Sequence, residues 1–127
     1  MEILTEFEGG NAIVEKIEGD TVYLRPDLRD TKTDWFYWCF CVKNAGGKKI
    51  KFVFQHEINL VGYFGPAVSH DNYSYEWLYG AFTEPKREFT YEFEKDENEV
   101  YFAHDIAYRV PRFSDFCKTH GLKVERF

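Results

Sequence analysis

The 127-residue chain carries 44% hydrophobic and 20% aromatic residues, enough for one folded core and too many for a disordered segment. Its formal net charge of −6 lacks the basic footprint that a phosphate backbone requires, which argues against nucleic acid as the main partner. No apolar run approaches the roughly 18 residues of a membrane span, and the opening MEILTEFEGGNA lacks the basic flank and apolar core of a secretory signal. A cytoplasmic protein is expected, with no membrane partner.

Thirteen Phe and nine Tyr favour strands, and the elements follow in chain order. NAIVEKI, the turn EGD and TVYLRP predict two strands, and RPDLRDTKTD is a polar loop. DWFYWCFCV, Asp34 to Val42, fills both parities of a strand: Phe36, Trp38, Phe40 and Val42 on one side, Trp35, Tyr37, Cys39 and Cys41 on the other. NAGG turns the chain into KKIKFVFQ. A hairpin through Ala45-Gly46-Gly47 would set Val42 opposite Ile50, Phe40 opposite Phe52 and Trp38 opposite Phe54. The even-numbered side is then the core, and the odd-numbered side brings Trp35, Tyr37 and Cys39 beside Lys49 and Lys51. That second side needs a cover, either a docked partner or the long loop from Leu60 to Tyr75.

From Asn59 to Gly80 the chain is loop-like, closing with a short strand near Glu76 to Tyr79. REFTYEFE and EVYFAHDIAY are strands joined at KDEN, within the solvated charge cluster Lys95 to Glu99. In VPRFSDFCKTHG the apolar spacing becomes helical, with Pro111 in the first turn and Gly121 past the end. LKVERF reads as the start of a strand. The expected fold is all-β: an antiparallel β-sandwich of about seven to nine strands with one short C-terminal helix. The sandwich would span residues 1–110, with residues 111–127 a separate helix and strand start.

No catalytic constellation emerges. His56-Glu57 is followed by Leu60 where an HExxH zinc motif needs His, and no His has Glu three residues later. Cys39 and Cys41 with Cys117 and a His could form a Cys3His zinc site, but core thiols on a strand fit the pattern better. An odd number of cysteines argues against a disulfide framework. SHDNYSYEW, Ser69 to Trp77, has the composition of a structured turn, with Gly65-Pro66 leading into it.

In order along the chain, FEGGN (Phe7 to Asn11), DWFYWCFCV, GPAVSHDNYSYEWL and VYFAHDIAYRVPRF resemble segments of the N-terminal β-sandwich domain of cytosolic-type zinc carboxypeptidases of the bacterial branch. Gly9 stands where that pattern has Ser, and Ile106-Ala107 where it has Pro-Tyr. The resemblance implies a non-catalytic accessory domain that packs on a metallopeptidase catalytic domain, in cis or in trans, and shapes substrate access. Zinc would belong to that catalytic domain and no cofactor to this chain. The helix and the strand start KVERF resemble the catalytic domain's first elements. The candidate docking residues are Trp35, Tyr37, Cys39, Lys49 and Lys51, and the candidate loop residues are Gly65, Pro66, Ser69, Asp71 and Trp77. An uncovered docking face would make the isolated chain self-associate. The alternative function is a carbohydrate-binding sandwich, which requires coplanar exposed aromatic rings.

Overall fold

The computed structural model describes residues 1–29, 37–55, 59–62, 64–82, 87–106 and 110–121. The strands are β1 (Glu2–Leu4), β2 (Ile13–Glu18), β3 (Thr21–Arg25), β4 (Cys39–Lys43), β5 (Lys49–Phe54), β6 (Ala67–Ser69), β7 (Glu76–Trp77), β8 (Glu88–Glu92) and β9 (Glu99–Ala103), followed by helix α1 (Val110–Thr119). They form two sheets, one ordered β1-β4-β9-β6-β7 and the other β2-β3-β5-β8. Every paired neighbour is antiparallel except β3 and β5, which run parallel. The expected all-β architecture with one short helix is present.

Alternation builds the core. From one sheet Phe40, Val42, Val68, Val100 and Phe102 point inward; from the other come Val22, Leu24, Ile50, Phe52, Phe54 and Phe89. Trp38, fully buried, lies between them, stacked 6.0 Å from Phe89 and tilted 4.6 Å from Phe54. Its indole Nε1 donates to the Leu60 carbonyl at 2.8 Å, so the one polar atom of this large ring is satisfied inside the core.

The expected β4–β5 hairpin does not form. β4 pairs with β1 and β9, β5 with β3 and β8, and the turn at Asn44–Gly47 carries the chain from one sheet to the other. Phe40 and Phe52 still meet, with centroids 5.2 Å apart, but across the core rather than across a ladder. The sheet choice follows from coverage. β4 is buried on both faces and belongs mid-sheet, while β5 alternates buried residues with exposed Lys49 and Lys51.

Edge strand β2 is guarded by charge. Glu15, Lys16 and Glu18 face solvent, a bulge interrupts its pairing between Val14 and Lys16, and the Lys16 ammonium sits 4.5 Å over the Tyr23 ring. Helix α1 ends as its sequence predicts. Gly121 adopts φ 65° and its N–H bonds the Lys118 carbonyl at 3.3 Å. The strand start at Lys123–Phe127 lies outside the described residues. No helix among them is long and apolar enough to cross a membrane.

Candidate functional site

The outer face of the five-stranded sheet is where Tyr37, Cys39 and Cys41 come to lie. Two rows cross it. Asn11, Cys39, Ala103, Ala67 and Trp77 are successive partners in one, and Leu4, Cys41, Tyr101 and Ser69 in the other. Cys39, Ala103 and Ala67 are small, so the first row is a trough, and Tyr75 packs against it. The result is a second apolar cluster outside the sandwich, in which Cys39, Ala67 and Ala103 are fully buried and Phe7, Tyr37, Trp77 and Tyr101 close the sides.

The segment that carries Tyr75 is held by its own polar residues. Asp71 Oδ1 accepts from the Tyr73 N–H at 2.8 Å, the Ser74 N–H at 2.9 Å and Ser69 Oγ at 2.9 Å. The N–H groups of Ser74 and Tyr73 hold its carboxyl below the usual aspartate range. The Ser69 hydroxyl in turn accepts from the Asn72 N–H at 3.0 Å. Tyr75 donates its hydroxyl to Asn72 Oδ1 at 2.6 Å, with Cys39 Sγ 3.8 Å away. The segment is also tied to its surroundings. Asn72 Nδ2 donates to the Glu8 carbonyl at 3.3 Å, His70 Nε2 lies 2.7 Å from Glu97 Oε2, and the Tyr73 hydroxyl donates to Asp115 of α1 at 2.9 Å.

FEGGN forms the opposite wall. Asn11 locks to Asp27 twice, Nδ2 donating to its carbonyl at 2.9 Å and Oδ1 accepting its N–H at 2.8 Å. Gly10 is obligatory, because a Cβ there would stand 2.1 Å from the Thr5 carbonyl oxygen. Tyr37 donates its hydroxyl to the Gly9 carbonyl, and Arg29 Nη2 donates to that of Gly10 at 2.9 Å. Phe7, Gly9, Gly10, Asn11, Arg29 and Tyr37 surround an open cleft of about 400 Å³.

The candidate docking residues therefore divide. Trp35 lies outside the described residues. Tyr37 is half-buried and Cys39 is sealed under Tyr75. Lys49 and Lys51 are exposed on the outer side of the other sheet, where Lys51 Nζ lies 3.4 Å from Glu88 Oε1. The single mixed face expected from the hairpin register does not exist, because strands of different sheets turn their outer sides in opposite directions. Of the two covers expected for Cys39 and its neighbours, loop residue Tyr75 is one that the chain itself supplies.

The candidate loop residues do come together. Gly65 is buried at φ 95°, with the Leu78 carbonyl 2.4 Å from where a Cβ would stand. The Pro66 carbonyl accepts the Leu78 N–H at 2.8 Å, and Ser69 and Asp71 make the turn just described. Sequence reasoning passed over Tyr75, Asn72 and the Asn11–Asp27 lock. The small residues at 39, 67 and 103 were the signal for Tyr75, legible only once the strand order is known. Trp77, Phe64 and Tyr79 cluster beside the loop, but Phe64 is inclined 59° to Trp77 and 77° to Tyr79. Rings so inclined do not make the flat platform that a sugar ring needs.

Among the described residues no group of three or more His, Cys, Asp or Glu is placed to hold a metal ion. The three cysteines are free and buried.

No known family model and no curated protein matches the sequence. Solved structures do match. A protein of Shewanella denitrificans assigned as a carboxypeptidase A superposes with a TM-score of 0.74 at 19% identity, over 96% of this chain and 34% of its own. The metallo-carboxypeptidase of Pseudomonas aeruginosa gives 0.73 at 18% identity, over 94% and 33%. That of Burkholderia cenocepacia gives 0.69 at 17% identity, over 93% and 32%. The chain has the fold of one third of these bacterial metallo-carboxypeptidases. It spans about a third of their length, and at such identities the likeness is one of fold.

Proposed function

We propose that the chain is a non-catalytic accessory domain of a zinc metallocarboxypeptidase, packing on the catalytic domain and shaping access to its active site. One observation carries this reading: the match takes in 93–96% of this chain but only 32–34% of each neighbour. A fold used whole inside larger chains of one kind is most simply a module of that kind. On this reading the zinc and the hydrolytic chemistry belong to the other domain.

The module's contribution is shape. Its outer face is fixed by the Asp71 turn and the Asn11–Asp27 lock, so its loops stand at set positions beside whatever packs on it. A rigid rim excludes bulky substrates without touching the reacting atoms. The gene tests the reading directly. A reading frame that runs on past Phe127 into a segment with His-x-x-Glu supports it, and a stop codon there with no metallopeptidase encoded alongside overturns it. The purified 127-residue chain should hold no stoichiometric zinc and cleave no peptide. About one zinc per chain after dialysis, by elemental analysis, would contradict that.

A further inference from the structure

We infer that the cleft between FEGGN and Arg29 binds a carboxylate that stands next to an apolar group. The inference goes beyond the accessory-domain reading and does not rest on it. The cleft holds about 400 Å³ and is lined by Phe7, Gly9, Gly10, Asn11, Arg29 and Tyr37, a size that suits a small organic ligand. Its cation is Arg29, which is exposed. Among the described residues Arg29 pairs with no carboxylate, and its side chain makes one hydrogen bond, Nη2 to the Gly10 carbonyl at 2.9 Å.

The backbone at Arg29 is also unusual. Among the described residues three that are not glycine have positive φ, and two of them, Asn44 and Asn72, are of a type that tolerates it. The third is Arg29, at 54°. Its N–H donates to Asp27 Oδ1 at 2.9 Å, and Asp27 is itself locked to Asn11. A bulky residue kept in a left-handed turn, and tied at both its N–H and its guanidinium, is set in position. Strain of this kind gathers where a side chain must be presented to a ligand.

The remaining groups decide the ligand's chemistry. The Gly9 and Gly10 carbonyls accept from Tyr37 and Arg29, and both ends of the Asn11 amide are engaged by Asp27. The N–H groups of Gly10 and Asn11 donate to the Phe7 and Cys39 carbonyls. The polar capacity left over is cationic, since a guanidinium carries five N–H donors and no acceptor. Its planar fork fits a carboxylate through two parallel bonds. Phosphate fits the fork too, but Glu8 stands between Phe7 and Gly9 and the chain carries −6 overall, so a dianion meets more repulsion than a monoanion. Phe7, held edge-on by Tyr101 at 5.3 Å, and half-buried Tyr37 supply ring surface in the same cleft. The ligand is therefore a monocarboxylate with an aromatic or aliphatic body, either a free acid or the C-terminal residue of a peptide.

The test titrates the isotope-labelled 127-residue chain with N-acetylphenylalanine and follows its amide spectrum by NMR. The signals of Gly9, Gly10 and Arg29 should move together and saturate, with a Kd of about 1–10 mM, as befits one solvated charge-assisted pair and a ring contact. N-acetylphenylalanine amide, which keeps the ring and lacks the charge, should bind at least about tenfold more weakly, and so should inorganic phosphate. Arg29→Gln should abolish the response and leave the rest of the spectrum in place. Arg29→Lys, which keeps the charge and loses the fork, should weaken binding about threefold to tenfold. The peptide Gly-Gly-Phe separates the two sources: binding as tight as that of the small acid supports a peptide C-terminus, and binding of the small acid alone supports a free acid. No saturating change at about 50 mM acid, or an equal response to the amide, would overturn the inference. Both comparisons use the unaltered chain and stand even where Arg29→Gln fails to fold. Phosphate that binds more tightly than the acid would overturn the carboxylate assignment.

Discussion

Burial and the Glu99 carboxylate push the Cys41 thiol up to about 11 from its ordinary 9.0. The native state therefore favours the neutral thiol, and the sign follows. Its contribution to stability is whole below pH 9 and is lost as the pH climbs through about 11. Tyr101, raised by burial and its bond to Glu99, and Tyr91, raised by burial and its bond to Glu97, are also held above the usual phenol range and add to the same loss. The melting temperature should be level between pH 7 and 8.5 and fall steeply above pH 9. Cys41→Ala should make that fall shallower, and native Cys41 should resist alkylation at pH 8. At Gly65 the constraint is steric. Its φ of 95° and the Leu78 carbonyl leave no room for a Cβ, so Gly65→Ala should cost about 1–3 kcal/mol in urea unfolding.

The Asp71 turn works at the scale of an element, since one carboxylate oxygen fixes the strap that seats Tyr75 on the trough. Asp71→Ala removes the acceptor for two backbone N–H groups and should cost about 1–2 kcal/mol. It should also speed labelling of Cys39 in the native protein, as Tyr75 lifts more often. Because native Asp71 titrates below the usual aspartate range, its stabilising effect is present above pH 4 and lost on acidification below it. Elements were legible where they were long or strongly patterned. The β2–β3 hairpin, β8 and α1 fall where alternation and helical spacing put them. β1 and β6, at three residues each, are too short to show a period. The β4–β5 register misled for a physical reason: equal parity makes Phe40 and Phe52 neighbours whether their strands share a ladder or face each other across a core. Lys49 and Lys51 were thereby assigned to the wrong neighbourhood, and the aromatic seal over Cys39 stayed hidden.

At the scale of the molecule the core is a single aromatic stack shared by both sheets. Trp38, Phe40, Phe52, Phe54, Phe89 and Phe102 touch one another in a continuous chain of ring contacts. Trp38→Ala should cost about 3–5 kcal/mol, enough to unfold a domain of ordinary stability, with near-ultraviolet dichroism lost as a whole. The pairings that close the sheets are distant in sequence, β1 with β4 and β4 with β9, so refolding should take milliseconds to seconds. Faster folding in stopped-flow fluorescence would contradict that.

Between the parallel partners β3 and β5 the chain leaves one sheet, contributes β4 to the other, and comes back. The two sheets are in effect sewn together by one thread, and neither can be peeled away while the other keeps its strands. Stretched from its two ends, the molecule should resist and then give way in a single rip. Two separate rips in a force trace would mean that the stitch through β4 had slipped.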